Sequence, residues 1–263
     1  MEPQENVTSG RSAALRWLPV WQRNLRVWAK LAIPAILGNF GEPLLYLLAL
    51  GYGLGSLVGD IQGMAYIVFL ASGTVCSSAM ITASFEGMYS AYTRMEVQKT
   101  WEAMLATPLD VRDVVIGEVV WAGTKSLFSG AAILVVAGLL GAVASWQAVL
   151  ALPVVLLTGL CFASMALVIT AFATNYDFFL YYNTLIVTPI LLFSGVFFPL
   201  ERMPHAIQWA SQFSPLTHAV AVVRPLMTGS VPEQPLLHLL VLGSLGLGAL
   251  ALATVLIRKR LTA

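Results

Sequence analysis

Long apolar stretches parted by short polar ones dominate this chain, and their lengths predict its elements. Apolar runs occupy about Leu31–Leu54, Met64–Phe85, Val114–Leu140, Val149–Ala173, Phe178–Phe198 and Leu236–Ile257. Each is near the length of about 20 residues that a helix needs to cross a bilayer's hydrocarbon layer. Six transmembrane helices follow. Between Ser126 and Tyr176 no residue is charged. A single helix of that span would reach about 75 Å, more than twice the hydrocarbon thickness, so the run folds back on itself. Ala144-Ser145-Trp146-Gln147 supplies the turn, and Asn175-Tyr176-Asp177 the next tight connection.

Three segments carry a different pattern. From Pro19 to about Lys30, Trp21, Leu25 and Trp28 share one helical face, with Arg23, Arg26 and Lys30 opposite. That distribution predicts a helix lying in the headgroup layer, with Pro19 suited to its first turn. Arg94–Asp113 is an island of charge between the second and third spans. Within it Val97, Trp101, Met104 and Leu105 fall on one face of a short helix, which Thr107-Pro108 ends. Asp110 then reads as the N-cap of the third span, with Asp113 in its first turn. Finally, Met203–Val223 is apolar enough to mimic a span, but Pro204, His205, Gln208, Gln212, Pro215 and His218 argue against a lipid-exposed helix. A helical hairpin dipping into the outer leaflet is predicted instead. Its first helix starts at Pro204 and ends near Ser214-Pro215; its second covers Leu216–Met227.

Composition agrees with this reading. The 263 residues are 58% hydrophobic and 10% charged, with mean hydropathy +0.81, whereas soluble domains carry roughly 25% charged residues. The chain is therefore an all-α integral membrane protein. Basic residues neither exceed acidic ones appreciably nor interleave with aromatics, so nucleic acid is not an expected partner. No removable signal peptide is apparent in the first residues. Cys76 and Cys161 lie in apolar runs and read as buried hydrophobes.

Charge asymmetry orients the six spans. One side receives Arg11, Arg16, Arg23, Arg26, Lys30, Arg94, Lys99, Arg112, Arg258, Lys259 and Arg260; the other receives Arg202 and Arg224, while Lys125 lies within a span. The positive-inside rule places both termini in the cytoplasm. The expected organisation is one domain over 1–263: a leader and interfacial helix over 1–30, a six-span core over 31–257 and a cytoplasmic tail over 258–263.

Catalytic chemistry is sparse. Gly117–Ser126, GEVVWAGTKS, mimics a phosphate-binding loop, but five residues separate its glycines and Thr124 precedes Lys125. The true motif has four and an immediate lysine. His205, His218 and His238 lack metal-ligand spacing, and no serine lies in a nucleophile elbow. Glu42, Glu86 and Glu118 stand at membrane depth, where a carboxylate is costly unless it faces protein or water. Glu118 and Lys125 share a helix face about 10 Å apart along the axis, too far to pair directly. A membrane-embedded enzyme would need clustered His, Asp or Glu. A secondary transporter would need a coupling-ion site and usually repeated halves, and no convincing repeat is present.

Several motifs together resemble the permease subunit of type-2 ABC exporters, and within them the nodulation protein J family of rhizobia. They are Leu37-Gly38-Asn39 with Glu42-Pro43, Lys99-Thr100-Trp101-Glu102-Ala103-Met104-Leu105, Gly117-Glu118, Tyr176-Asp177, Ser194-Gly195 through Phe198-Pro199, Pro215-Leu216-Thr217-His218 and Arg224-Pro225. The resemblance covers essentially the whole chain. It implies a bacterial inner-membrane exporter built from two permease chains and two copies of a soluble ATPase. This chain would bind no cofactor, and ATP and Mg would sit on the ATPase. The helix over Glu96–Ala106 would be the coupling helix that docks on that ATPase, through Glu96, Lys99, Thr100, Trp101, Glu102, Met104 and Leu105, with Asn175 and Asp177 adding contacts. Phe40, Glu42, Tyr46, Phe193 and Phe197 would border the path. The substrate implied is an amphiphilic lipo-oligosaccharide; a drug or polymer precursor is the alternative within the family, and an ion-coupled carrier the alternative outside it.

Overall fold

The structure, a computed structural model, describes residues 15–30 and 44–262. Helix α1 (Leu18–Ala29) starts with a proline in its first turn, as the sequence suggests. After it come α2 (Leu44–Val58) and α3 (Tyr66–Val97). They are joined by a minimal hairpin of β1 (Asp60–Ile61) and β2 (Met64–Ala65). Gln62 and Gly63 form its two-residue turn with φ of 52° and 76°, the positive values that tight hairpins demand. The chain continues through α4 (Thr100–Leu105), α5 (Val111–Leu139), α6 (Trp146–Phe172) and α7 (Asp177–Phe193). It closes with the short α8 (His205–Ser211), α9 (Pro215–Thr228) and α10 (Pro235–Thr262).

Among the described residues, α3, α5, α6 and α10 are long and apolar enough to cross a membrane, while α2 and α7 are shorter apolar helices. The fold is thus helical and membrane-compatible. The first predicted span begins before α2, and its residues 31–43, with Phe40 and Glu42, lie outside the described residues. The fifth stops at Phe193 rather than Phe198, because Gly195 turns into the left-handed region at φ 77°. The carbonyl of Gly195 accepts from Arg224 Nη2 at 2.6 Å. The predicted hairpin materialises as α8 and α9, each started by a proline.

Helix α3 is the hub, packed against α5, α6 and α9. Small residues allow the approach: a Cβ added to Gly87 would lie 2.7 Å from Ala166 Cβ and 3.0 Å from the Ala163 carbonyl on α6. Hydroxyls then bond across the seams, Ser126 Oγ to the Ala79 carbonyl at 3.1 Å and Thr170 Oγ1 to the Gly87 carbonyl at 2.7 Å. This is how helices associate where apolar surface offers no preference over lipid. Helix α10 lies on α6 and α9 and buries only Leu242, Ala253 and Ile257 fully.

Two corrections concern residues near the charged island. Helix α3 continues to Val97, well past Phe85, through π-turns at Glu86–Ser90 and Thr93–Val97. Arg94 consequently sits inside the bundle and not in a surface loop. The tryptophans of α1 also face protein. Trp21 Nε1 donates to Thr124 Oγ1 at 3.0 Å, and Trp28 stacks on Phe128 at 5.6 Å and meets Trp121 edge-on at 6.1 Å. Gly117 on α5 makes room, since a Cβ there would fall 2.5 Å from Val20 Cβ.

Candidate functional site

The short helix α4 hangs from a break in the chain. Lys99 adopts φ 50°, ψ 25°, a left-handed conformation unusual for a lysine. The predicted continuous helix Glu96–Ala106 is therefore two pieces, the last turn of α3 and α4. Val97 is left exposed, away from the face it was expected to share with Trp101. Trp101 is fully buried, and Met104 and Leu105 pack half-buried against the core. On the outer face Lys99 Nζ bridges Glu102 at 3.0 Å and Glu96 at 3.5 Å. The bond to the Glu102 carboxylate holds the ammonium pKa above the usual lysine value. More than half of each Lys99 and Glu102 side chain is open.

Beneath α4 lies a buried charge network. Arg94 sends Nε and Nη2 to the two oxygens of Glu118, at 3.0 and 2.5 Å, and Nη1 to Glu86 Oε1 at 2.9 Å. Lys125 Nζ reaches Glu86 Oε2 at 2.6 Å. Two tryptophans complete the set: Trp121 Nε1 donates to Glu86 at 2.9 Å, and Trp101 Nε1 to Glu118 at 3.1 Å. Glu86 and Glu118 are almost wholly buried. Two carboxylates meet two cations, so the network is neutral, which is the condition for burying charge at tolerable cost. Glu118 and Lys125 do not pair with each other, as their spacing indicates; each binds the α3 end instead.

An outer ring of ion pairs braces the same region. Arg260 Nη2 meets Glu96 at 2.9 Å while its Nη1 donates to the Thr170 carbonyl at 2.8 Å. Arg258 pairs with Asp110 at 2.6 Å. Arg16 pairs with Asp113 at 3.2 Å and donates to the Pro108 carbonyl. Asp110 caps α5 as expected, and with Asp113 in the first turn it forms a capping box. At the start of α7, Asn175 Oδ1 accepts from the Phe178 amide at 3.2 Å, and Asp177 lies in the first turn. Tyr176 joins Tyr89, Tyr92 and Phe179 in an aromatic cluster.

The expected path residues are less gathered. Tyr46 on α2 and Phe193 at the end of α7 are exposed, and Phe197 is half-buried, its carbonyl accepting from Tyr66 Oη at 3.4 Å. Two of the three histidines, which lack metal-ligand spacing in the sequence, are brought together. His218 Nδ1 and His238 Nδ1 lie 2.7 Å apart, and His218 Nε2 faces the Gln212 carbonyl at 2.9 Å. Among the described residues no group of three or more His, Cys, Asp or Glu could hold a metal. Arg94 and Trp121, the donors to the membrane-depth glutamates, were foreshadowed only by the need of those carboxylates for partners, and no sequence signal pointed to the pairing of Arg260 with Glu96.

Among the described residues, an ion network ties a short surface helix to two long apolar helices. The chain belongs to the ABC-2 type transporter family, whose pattern it matches over residues 17–228. It is 46% identical over 258 residues to nodulation protein J of Rhizobium leguminosarum bv. trifolii, covering 98% of each chain. It is 46% identical over 254 residues to nodulation protein J of Rhizobium meliloti (strain 1021), covering 93% of this chain and 94% of that one. A more distant relative is the inner membrane transport permease YadH of Escherichia coli (strain K12), 28% identical over 212 residues and 79% of each chain.

Proposed function

We propose that the chain is one of two identical permeases in an ATP-driven exporter of the bacterial inner membrane, served by two copies of a soluble ATPase. The observation that carries this reading is α4, suspended at the Lys99 break and bonded through Trp101 to the buried network. The open carboxylate of Glu102, with Glu96, Lys99 and Thr100, meets the ATPase. Trp101, Met104 and Leu105 transmit from the inner side of α4, while Asn175 and Asp177 add contacts at the neighbouring turn. A displacement of α4 drags Trp101 and Glu118, hence α5, and through Arg94 and Glu86 it drags α3. Ion pairs in a low-dielectric interior are strong and directional, so the linkage moves as a unit. ATP and Mg bind the partner, and this chain binds no cofactor.

Six spans with both termini cytoplasmic accommodate both the cation asymmetry and the outward hairpin of α8 and α9. Phe40, Glu42, Tyr46, Phe193 and Phe197 border the path between the two permeases. The substrate is an amphiphilic lipo-oligosaccharide, a reading supported by nodulation protein J among the relatives. The test is reconstitution of the chain with its ATPase in proteoliposomes, comparing lipo-chitin-like molecules with drugs. ATP-dependent movement of the former, abolished by omitting either subunit, is the expected result. Movement driven by an ion gradient without ATP would overturn it.

A further inference from the structure

The last two turns of α10 carry arginines that hold both ends of the stretch containing α4. Arg258 and Arg260 stand two positions apart, roughly 200° around a regular helix, so they reach to opposite sides. Arg260 Nη2 meets Glu96 Oε1 at 2.9 Å in the last turn of α3, and Arg258 Nη2 meets Asp110 Oδ2 at 2.6 Å just before α5. Glu96 lies before α4 and Asp110 after it.

The two holds are unequal. More than half of the Arg258 and Asp110 side chains is exposed, against 23% for Arg260 and 29% for Glu96. An exposed pair is screened by water and holds little. Arg260 is also engaged on its other side, where Nη1 donates to the carbonyls of Thr170 at 2.8 Å and Ala171 at 3.2 Å. Those carbonyls belong to the last turn of α6, which ends at Phe172. There carbonyls run out of partners within the helix and a cation is favoured by the helix dipole. The planar fork of an arginine serves a carboxylate and carbonyls together, as the point charge of a lysine does not.

These bonds reach both segments assigned to ATPase docking. Glu96 Oε2 pairs with Lys99 Nζ at 3.5 Å, and Lys99 Nζ pairs with Glu102 at 3.0 Å. Lys99 is the left-handed break from which α4 hangs. On the other side, the Arg260 guanidinium lies 5.9 Å from the centroid of the Tyr92 ring. Tyr92 Oη in turn donates to the carbonyl of Thr174, next to Asn175, at 2.8 Å. One guanidinium thus stands between α4 and the turn that leads into α7.

We propose that Arg260 is a positioning residue that fixes α4 and the Asn175–Asp177 turn relative to each other, so that the ATPase meets them as one preformed surface. The proposal rests on the docking role assigned to those two segments, and Arg260 acts through Glu96 and the α6 carbonyls.

The test is hydrogen–deuterium exchange of the full chain in nanodiscs, followed by titration with its ATPase. Arg260→Gln should speed exchange over residues 98–107 and 174–178 by roughly tenfold, the effect of losing one hydrogen bond to a charged group, and leave α5 unchanged. Arg258→Gln, at the exposed pair, should match wild type, and Arg260→Lys should fall between wild type and Arg260→Gln. The ATPase should bind Arg260→Gln roughly tenfold more weakly. Its hydrolysis rate at saturating permease should equal that with wild type, because a preformed surface changes affinity and not chemistry. Unchanged exchange over residues 98–107 in Arg260→Gln, acceleration spread evenly over the whole chain, or an equal effect of Arg258→Gln would each overturn the proposal. Equal ATPase affinity for wild type and Arg260→Gln would overturn the positioning role alone, whereas a wild type that binds no ATPase would overturn the docking role beneath it. Arg260→Lys carries the same comparison at smaller amplitude if Arg260→Gln does not fold.

Discussion

Glu118→Gln removes one charge from the network while keeping the side chain's shape. In the structure Glu118 accepts three bonds, two from Arg94 at 3.0 and 2.5 Å and one from Trp101 at 3.1 Å. A glutamine keeps one oxygen for these donors and turns an amide NH2 toward another. It also leaves Arg94 and Lys125 facing Glu86 alone, one uncompensated positive charge in a buried site. Breaking a buried pair in this way costs about 3–5 kcal/mol. Trp101→Phe is milder, because it removes one donor to a charged acceptor, about 1.5–3 kcal/mol, and leaves the Arg94–Glu118 pair in place. The double variant should be less damaging than the sum, by about 0.5–3 kcal/mol of coupling between contacting residues. Equilibrium unfolding in mixed micelles, followed by circular dichroism, measures all four proteins. A Glu118→Gln protein within about 0.5 kcal/mol of wild type, the scatter of surface substitutions, would refute the network's structural role. Strict additivity would refute the link between Trp101 and Glu118.

Other outcomes follow from the same geometry. Glu102→Lys, at an open position, should leave insertion and melting unchanged and abolish recovery of the ATPase with the permease; unchanged recovery would remove Glu102 from the docking face. Gly73→Ala places a methyl 2.7 Å from Val196 Cα and 2.8 Å from its carbonyl, backbone that cannot swing aside. It should cost about 1–3 kcal/mol by overpacking, and an unshifted melting curve would contradict the close approach. A cysteine at Gln208 should react with an impermeant thiol reagent from outside the cell and one at Gln98 only from inside; the opposite labelling would invert the topology.

How much of this was legible from residues alone depended on the range of the cause. Local rules worked: the Asp110 N-cap, the prolines opening α1, α8 and α9, and the turn at Ala144–Gln147 depend on neighbours within a few positions. The pairing of Glu86 with Arg94 was hidden, because eight residues apart on a regular helix would stand about 80° out of phase. Two π-turns change that register, and no sequence signal marked them. The spacing that grouped Val97 with Trp101 assumed an unbroken helix, and Lys99 breaks it. Tryptophans opposite cations on α1 described an interfacial helix equally well whether its apolar face met lipid or α5. Long-range contacts such as Arg260 with Glu96, or His218 with His238, depend on helix packing that periodicity does not encode.

The most direct test of the account is affinity purification of the tagged chain from its host in mild detergent, with its partners weighed. Recovery of a soluble ATP-binding subunit in equal number, lost on Glu102→Lys, is the predicted result. A chain that purifies alone, without ATPase activity and with transport that follows an ion gradient, would contradict the central claim and leave α4 an ordinary surface loop.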